Sequence, residues 1–307
     1  MDATAAIAIA DRLGRHLESW QPLTGGVSAE VVALQLSGTT VVVRHHAPGP
    51  DWKQGDAVQR ARVEYGVMRG LAEAGLPVPR PDQFDGSGAI LPGPWFLLPY
   101  VENTAPPVEA VERAAMADAL RALHALAVTA LPEAVWTALP RRTDPFAELD
   151  ALLSEDHEAL DTPVLRAVRA RVGGERLPDV GGGARLDDLA ILHGDFWSGN
   201  LLWGDNGELR AILDWEDAAV GDPLADLAGA LVEMAWRSGE PAAESLYRAC
   251  AVGRDPIDPV RWAAWVVYIA AAGCAWMGHW GLPEAQVVHQ RAVSTRLIER
   301  FGRRLVG

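Results

Sequence analysis

Residues 191–226 read ILHGDFWSGNLLWGDNGELRAILDWEDAAVGDPLAD. Four pieces stand in a fixed order here. His193-Gly194-Asp195 comes first, then Asn200 five residues after the aspartate. Two short apolar runs follow, Leu201–Trp203 and Leu209–Leu213, with Asp205-Asn206-Gly207 between them. The second run ends in Asp214-Trp215-Glu216, and Asp222 and Asp226 close the stretch. Turn residues between two short apolar runs predict a β-hairpin. A hairpin folds its ends back, which draws Asn200 and Asp214 towards each other. An amide oxygen beside a carboxylate suits a hard cation such as Mg2+, which takes oxygen ligands and completes its shell with phosphates and water. Asp195, upstream on the loop, is the group expected to accept a proton from an attacking hydroxyl. That division of labour is the logic of phosphoryl transfer.

The stretch resembles the catalytic core of the aminoglycoside phosphotransferase and choline kinase family, small-molecule relatives of the protein kinases. The family's H-G-D-x-x-x-x-N loop corresponds to His193–Asn200. Its I-D-[WF] piece appears as Ile212-Leu213-Asp214-Trp215, and its G-D-P-x-x-D-[LI] helix start spans Gly221–Leu227. The resemblance implies Asp195 as catalytic base and Asn200 and Asp214 as Mg2+ ligands. It implies Asp222 and Asp226 as supports. His193 reads as a structural residue of the loop. Asp222 before Pro223 reads as a helix N-cap followed by proline at the first helical position. Glu216 reads either as an additional metal contact or as a solvated acid.

The implied fold is α+β and protein-kinase-like. Residues 1–98 would form a small nucleotide-binding lobe of antiparallel sheet plus helix. Residues 99–307 would form a larger, mostly helical catalytic and substrate-binding lobe, with a hinge near 97–102. Reading upstream, residues 5–20 suggest a short helix. Leu23–Glu30 leads into Val31–Leu36, and Thr39–Arg44 follows Ser37-Gly38 as a hairpin of β-branched residues. Gly25, Gly26 and Ser28 are the expected phosphate-covering loop, offering backbone N–H groups. It is not a Walker loop, because it lacks the Gly-Lys-Ser/Thr ending.

The family usually places a lysine on the third strand. This chain departs from that pattern, because the strand ends in Arg44 and the only lysine, Lys53, lies in a Gly/Pro/Asp-rich loop. Arg44 is the expected phosphate clamp, with Lys53 as the alternative. Arginine can hold phosphate bidentately but does not simply replace lysine. Residues 59–74 carry apolar residues at helical spacing. Glu64 in that helix is the expected ion-pair partner of Arg44, and Gly75 ends the helix. Trp95–Val101 reads as a buried strand running into the hinge, where the backbone of Leu98, Tyr100 and Val101 would bind the nucleotide base.

Further on, residues 108–128 predict a helix with His124 as a structural histidine. Residues 131–190 look irregular, with an acidic patch from Asp144 to Glu158 that is either solvated or set against a cationic substrate. Helices are expected over 223–234, 241–252, 257–280 and 284–302.

Composition narrows the classes. The 307 residues are 49% hydrophobic, enough for a core in one large domain or two lobes. Arginine and lysine number 27 against 41 acids, a formal charge of −14, which argues against nucleic acid or an anionic membrane as partner. Two cysteines, Cys250 and Cys274, make neither a disulfide framework nor a zinc cluster. Residues 262–278 are uninterruptedly apolar, and a buried core helix is the reading preferred over a membrane span. No signal-like start is read at the N-terminus, so a cytoplasmic location is the expectation. The implied reaction is transfer of the γ-phosphate of ATP or GTP to a hydroxyl of a small molecule. Candidate acceptors are an aminoglycoside or other amino-sugar or cationic metabolite, choline, a sugar, homoserine and a macrolide. The alternative is a nucleotide- or metabolite-binding relative with little turnover.

Overall fold

In the computed structural model, residues 1–23, 29–47, 57–155, 157–174, 189–252 and 256–307 are described. The helices are α1 (Ala3–Arg12), α2 (Ala57–Glu73), α3 (Glu109–His124), α4 (Glu133–Trp136), α5 (Pro145–Ser154), α6 (Pro163–Gly174), α7 (Leu224–Ser238), α8 (Glu240–Ala251), α9 (Pro259–Trp276) and α10 (Glu284–Val306). The strands are β1 (Leu17–Pro22), β2 (Glu30–Leu36), β3 (Thr39–His45), β4 (Asp82–Asp85), β5 (Trp95–Pro99), β6 (Arg141–Arg142), β7 (Ala190–Leu192), β8 (Leu201–Trp203), β9 (Leu209–Ile212) and β10 (Ala219–Gly221). The chain is α+β, as expected. It divides into two units. One holds Met1–Pro106, Thr129–Ala138 and Leu201–Glu216; the other holds Pro107–Val128, Leu139–Asn200 and Asp217–Gly307. The expected single cut after residue 98 divides the chain differently, because the first unit also takes in two later segments.

The first unit is built on a five-stranded sheet ordered β1-β2-β3-β5-β4, with every pairing antiparallel. The β2–β3 hairpin turns at Ser37-Gly38, where Gly38 takes a φ of +82° that only glycine adopts freely. Its register sets Val31 opposite Arg44, and β5 lays Phe96 on Arg44's other side. The expected helix over 5–20 is only half right. α1 ends at Arg12, Gly14 takes a φ of +65°, and Leu17–Pro22 is an exposed edge strand on β2. Backbone pairing to a neighbouring strand outweighed the mixed apolar spacing there.

α2 buries Ala61, Glu64, Val67, Met68 and Leu71, the 3–4 spacing of one helix face. Gly66 and Gly70, one turn apart, admit the segment carrying α4. A Cβ on Gly66 would stand 2.5 Å from Val135, and one on Gly70 2.7 Å from Leu131. This close approach explains why residues 129–138 join the first unit. The predicted hairpin is present, with Leu201 opposite Ile212. It is bound into the same unit, since Ile212 N donates to Pro77 O and Trp203 N donates to Asn103 Oδ1.

The second unit is helical, with a three-stranded sheet β6-β10-β7. α9 is its core: Trp262, Ala263, Ala264, Trp265, Val266 and Val267 are buried, and α5, α7 and α10 pack around it. The segment Pro259–His279 is long and apolar enough to cross a membrane, but 67% of its apolar window is buried against this unit's own helices. Both cysteines are buried thiols, neither in a disulfide among the described residues. Residues 131–190, expected to be irregular, contain α5 and α6. Asp144 accepts from Phe146 N and Pro145 opens α5, a helix start hidden among turn residues.

Candidate active site

Arg44 and Glu64 meet as expected. Arg44 Nε lies 2.8 Å from Glu64 Oε1, and both side chains are buried. The same guanidinium reaches the end of the hairpin, donating to Asp214 Oδ1 at 2.8 Å, with Glu216 at 3.6 Å. Burial alone would favour a neutral arginine. Glu64 first, then Asp214 and Glu216, outweigh it and hold Arg44 charged beyond its ordinary range. Glu64 is likewise buried, yet Arg44 and then His46, whose Nε2 lies 3.1 Å away, keep its carboxyl below the usual range. Lys53, the alternative clamp, lies outside the described residues, as do Gly25, Gly26 and Ser28.

Asp214 has a φ of +62°, one of two non-glycine residues with positive φ among those described. Such a conformation costs energy and marks sites where the backbone is held for a purpose. It follows directly on the hairpin, and Trp215 beside it is buried, its indole N–H donating to Ile212 O. The Asp214 side chain is 26% exposed. Leu98 is buried in β5, Val101 is half-buried and Tyr100 is exposed.

In the second unit, the loop His193–Asn200 is clamped by Asp226. One Asp226 oxygen accepts from His193 N at 2.8 Å, and the other from Gly194 N at 2.9 Å. His124 Nε2 adds a 3.0 Å contact. Asp226 is fully buried, but His124 and the loop N–H groups keep its carboxyl low. His193 is structural as read: its Nδ1 accepts from Asp195 N at 3.2 Å, and its ring meets Phe196 edge-on. Asp222 accepts from Leu224 N at 3.0 Å at the start of α7. Its other oxygen takes Arg261 Nε at 2.6 Å and Trp265 Nε1 at 2.5 Å. Asp222 and Asp226 are therefore supports.

Asn200 turns its amide nitrogen onto Asp195, donating to the backbone O at 2.8 Å and to Oδ2 at 3.0 Å. That orientation leaves the amide oxygen of Asn200 for another partner. Burial, with Asp217 adding to it, pushes the Asp195 carboxyl up against the opposing pulls of His193 and Asn200. A more basic carboxylate is a better proton acceptor.

Two features were not legible beforehand. Glu112 on α3 is 1% exposed and accepts from Ser198 Oγ; its other oxygen lies 2.8 Å from Arg237. Ser198 opens the turn that carries Asn200, so this pair braces the loop's far end as Asp226 braces its start. Beyond Arg237 lies Glu233, which lines a small notch with Trp197, Ser198, Met116 and Met234. Burial first, then the charge of Asp195, raises the Glu233 carboxyl to about 8. The one signal in the sequence was for Glu112, an acid in the first turn of α3, which reads equally well as a dipole partner.

Two predictions follow from this loop. Gly194 has a φ of +85°, and a Cβ there would stand 2.0 Å from Asp217 O. Gly194→Ala should destabilise the protein by about 3 kcal/mol, combining left-handed strain with a backbone clash. A thermal midpoint within error of wild type would contradict this geometry. Glu233 keeps its proton in the fold to about pH 8 but loses it near 4.5 when unfolded. Across that window the native state binds more protons, so stability falls as pH rises. Glu233→Gln should therefore raise the thermal midpoint more at pH 8 than at pH 5. Equal shifts at both pH values would mean that Glu233 is ionised in the fold.

The phosphotransferase enzyme family model matches residues 19–265. Among curated proteins, the chain is 26% identical over 223 residues to acyl-CoA dehydrogenase family member 11 of Gallus gallus, covering 69% of this chain and 28% of the relative. It is 25% identical over 213 residues to family member 10 of Mus musculus, covering 66% of this chain and 19% of the relative. The chain thus spans less than a third of the length of the curated relatives it matches.

Among solved structures, it overlays a Ralstonia eutropha protein provisionally assigned as an aminoglycoside phosphotransferase. The TM-score is 0.67 at 18% identity, over 99% of this chain and 98% of that one. It also overlays a thermostable aminoglycoside phosphotransferase APH(4)-Ia in complex with AMP-PNP and hygromycin B. There the TM-score is 0.64 at 14% identity, over 97% and 98%. Macrolide 2'-phosphotransferase MphH of Brachybacterium faecium gives a TM-score of 0.58 at 19% identity, over 95% and 96%. These overlays show the kinase-like fold that the motif implied.

Proposed function

This chain belongs to the phosphotransferase enzyme family, and from that membership we propose that it moves the γ-phosphoryl group of ATP or GTP to a hydroxyl of a small molecule. The observation that carries the reading is the loop in which Asp195, raised in basicity, is fixed by Asn200 and by the Asp226 clamp. Asp195 orients the acceptor hydroxyl and takes its proton. Arg44, held by Glu64, turns its remaining N–H groups to phosphate oxygens. Asn200, through its amide oxygen, and Asp214, through its carboxylate, each offer the oxygen donor a hard cation takes, and they are the residues that would hold Mg2+. The chemistry such an ion would supply is neutralisation of charge on the phosphates. Leu98, Tyr100 and Val101 offer backbone groups to the base; the phosphate-covering role read for Gly25, Gly26 and Ser28 falls outside the described residues.

The solved relatives include complexes with hygromycin B and with kanamycin. Those ligands support an aminoglycoside or related amino-sugar as the first acceptor to test here. A nucleotide-binding relative with little turnover is the competing reading, favoured by an Arg44 already surrounded by three carboxylates.

The test has two stages. Mg–ATP and Mg–GTP should raise the thermal midpoint, since a ligand at about 100 times its Kd stabilises by roughly 2.7 kcal/mol. ADP or GDP release is then followed across aminoglycosides, macrolides, choline, homoserine and sugars. The absence of Mg-dependent stabilisation by either nucleotide would overturn the kinase reading. Stabilisation without release across the panel would favour the binding protein.

A further inference from the structure

α7 has two working faces. Glu233 borders the notch beside the catalytic loop, while Leu231, two residues away and so about 200° around the helix, borders a second crevice. That crevice lies among α7, α8, α9 and α10. Its walls are largely aromatic. Tyr247 and Trp262 stack at 4.8 Å and 31°, and Phe301 meets Trp262 edge-on at 6.4 Å.

Its polar groups are mostly donors. The Trp262 indole N–H has no hydrogen-bond partner among the described residues, although Trp262 is 4% exposed. Arg304 has no carboxylate partner among the described residues, and it sits 5.2 Å from the Phe301 centroid. Arg300 stands 5.1 Å from the same ring and only loosely meets Glu244, at 3.5 Å, and Glu240, at 3.7 Å. Glu244, the one carboxylate on the wall among the described residues, is already shared with Arg248 at 3.5 Å.

A cationic ligand would need open ring faces or a free carboxylate. Phe301 is already taken by two guanidiniums, and Glu244 by two arginines. An anion finds an unpaired guanidinium and an unpaired indole N–H, in a chain whose net charge is −14. A flat ring finds aromatic walls, against which offset or edge contacts are favourable.

We propose that this crevice is a second ligand site, separate from Asp195, that takes a small planar anion: an aromatic ring bearing a carboxylate or a phosphate. Arg304 and the Trp262 N–H hold the charged group, the Tyr247–Trp262 pair walls the ring, and Arg300 flanks the mouth. The proposal does not depend on the phosphotransferase reading.

Calorimetric titration of the full chain with benzoate, phenyl phosphate and uncharged benzyl alcohol tests it. At least one of the two anions should bind, and whichever binds more tightly identifies the preferred charged group. Benzyl alcohol should bind at least about tenfold more weakly. Arg304→Ala should weaken anion binding about tenfold or more, and Trp262→Phe should weaken it as well while keeping an aromatic wall. Arg304 is exposed near the end of α10, so the thermal midpoint of Arg304→Ala should match wild type. The proposal is overturned if neither anion gives heat at millimolar concentration, if benzyl alcohol binds as well as benzoate, or if Arg304→Ala binds like wild type.

Discussion

Asp195→Asn is expected to cut phosphoryl transfer by about 10²- to 10⁴-fold, the range for losing a positioned general base, while leaving Mg–nucleotide binding intact. The substitution is close to a pure charge deletion. The amide of Asn200 holds residue 195 through its backbone oxygen as well as through Oδ2. An asparagine at 195 still presents a side-chain oxygen to it, so the loop geometry survives. The Asp226 clamp acts two residues upstream, on His193 and Gly194. A second readout is independent of activity. The Asp195 charge helps to hold Glu233 protonated, so removing it should lower the pH at which Glu233 ionises and flatten the stability slope above neutrality. The role assigned to Asp195 fails if the variant turns over at a near wild-type rate. Loss of transfer together with loss of nucleotide binding would mean that Asp195 supports the fold.

The motif loop, the hairpin and the Arg44–Glu64 pair were legible because each is set by local spacing. Asp195 and Asn200 lie on one short loop, the hairpin turn is Asp205-Asn206-Gly207, and Glu64 falls on the buried stripe of α2. What stayed hidden depends on partners far apart in the chain. β1 is a strand because β2 pairs with it, not because of its own pattern. Glu112 is one of two acids in the first turn of α3. Its meaning comes from Ser198 and Arg237, 86 and 125 positions away in the numbering. Arg44's second contact, with Asp214, spans 170 positions and joins the strand cation to the hairpin's end. α5 and α6 were obscured because prolines and acids open α5 in a region that reads as turns.

Asp214→Ala should abolish Mg-dependent nucleotide binding and transfer together, a combined loss larger than that from Asp195→Asn. Two of its consequences can be separated. The first is chemical: the side chain presents a carboxylate with one oxygen on Arg44, and alanine removes both the proposed metal ligand and that contact. Arg44 remains paired to Glu64 at 2.8 Å, so the buried guanidinium is not left without a counter-charge and the fold should hold. The second is conformational: a φ of +62° disfavours any side chain with a Cβ, so alanine keeps the strain without the function. Glycine at 214 loses the same carboxylate but accepts the backbone angle. Asp214→Gly should therefore be inactive like Asp214→Ala yet more stable by about 1 kcal/mol, measured by denaturant unfolding without nucleotide. If glycine proved no more stable than alanine, residue 214 would not be held against its preference. The positive φ would then give no reason to regard the hairpin's end as shaped for a ligand.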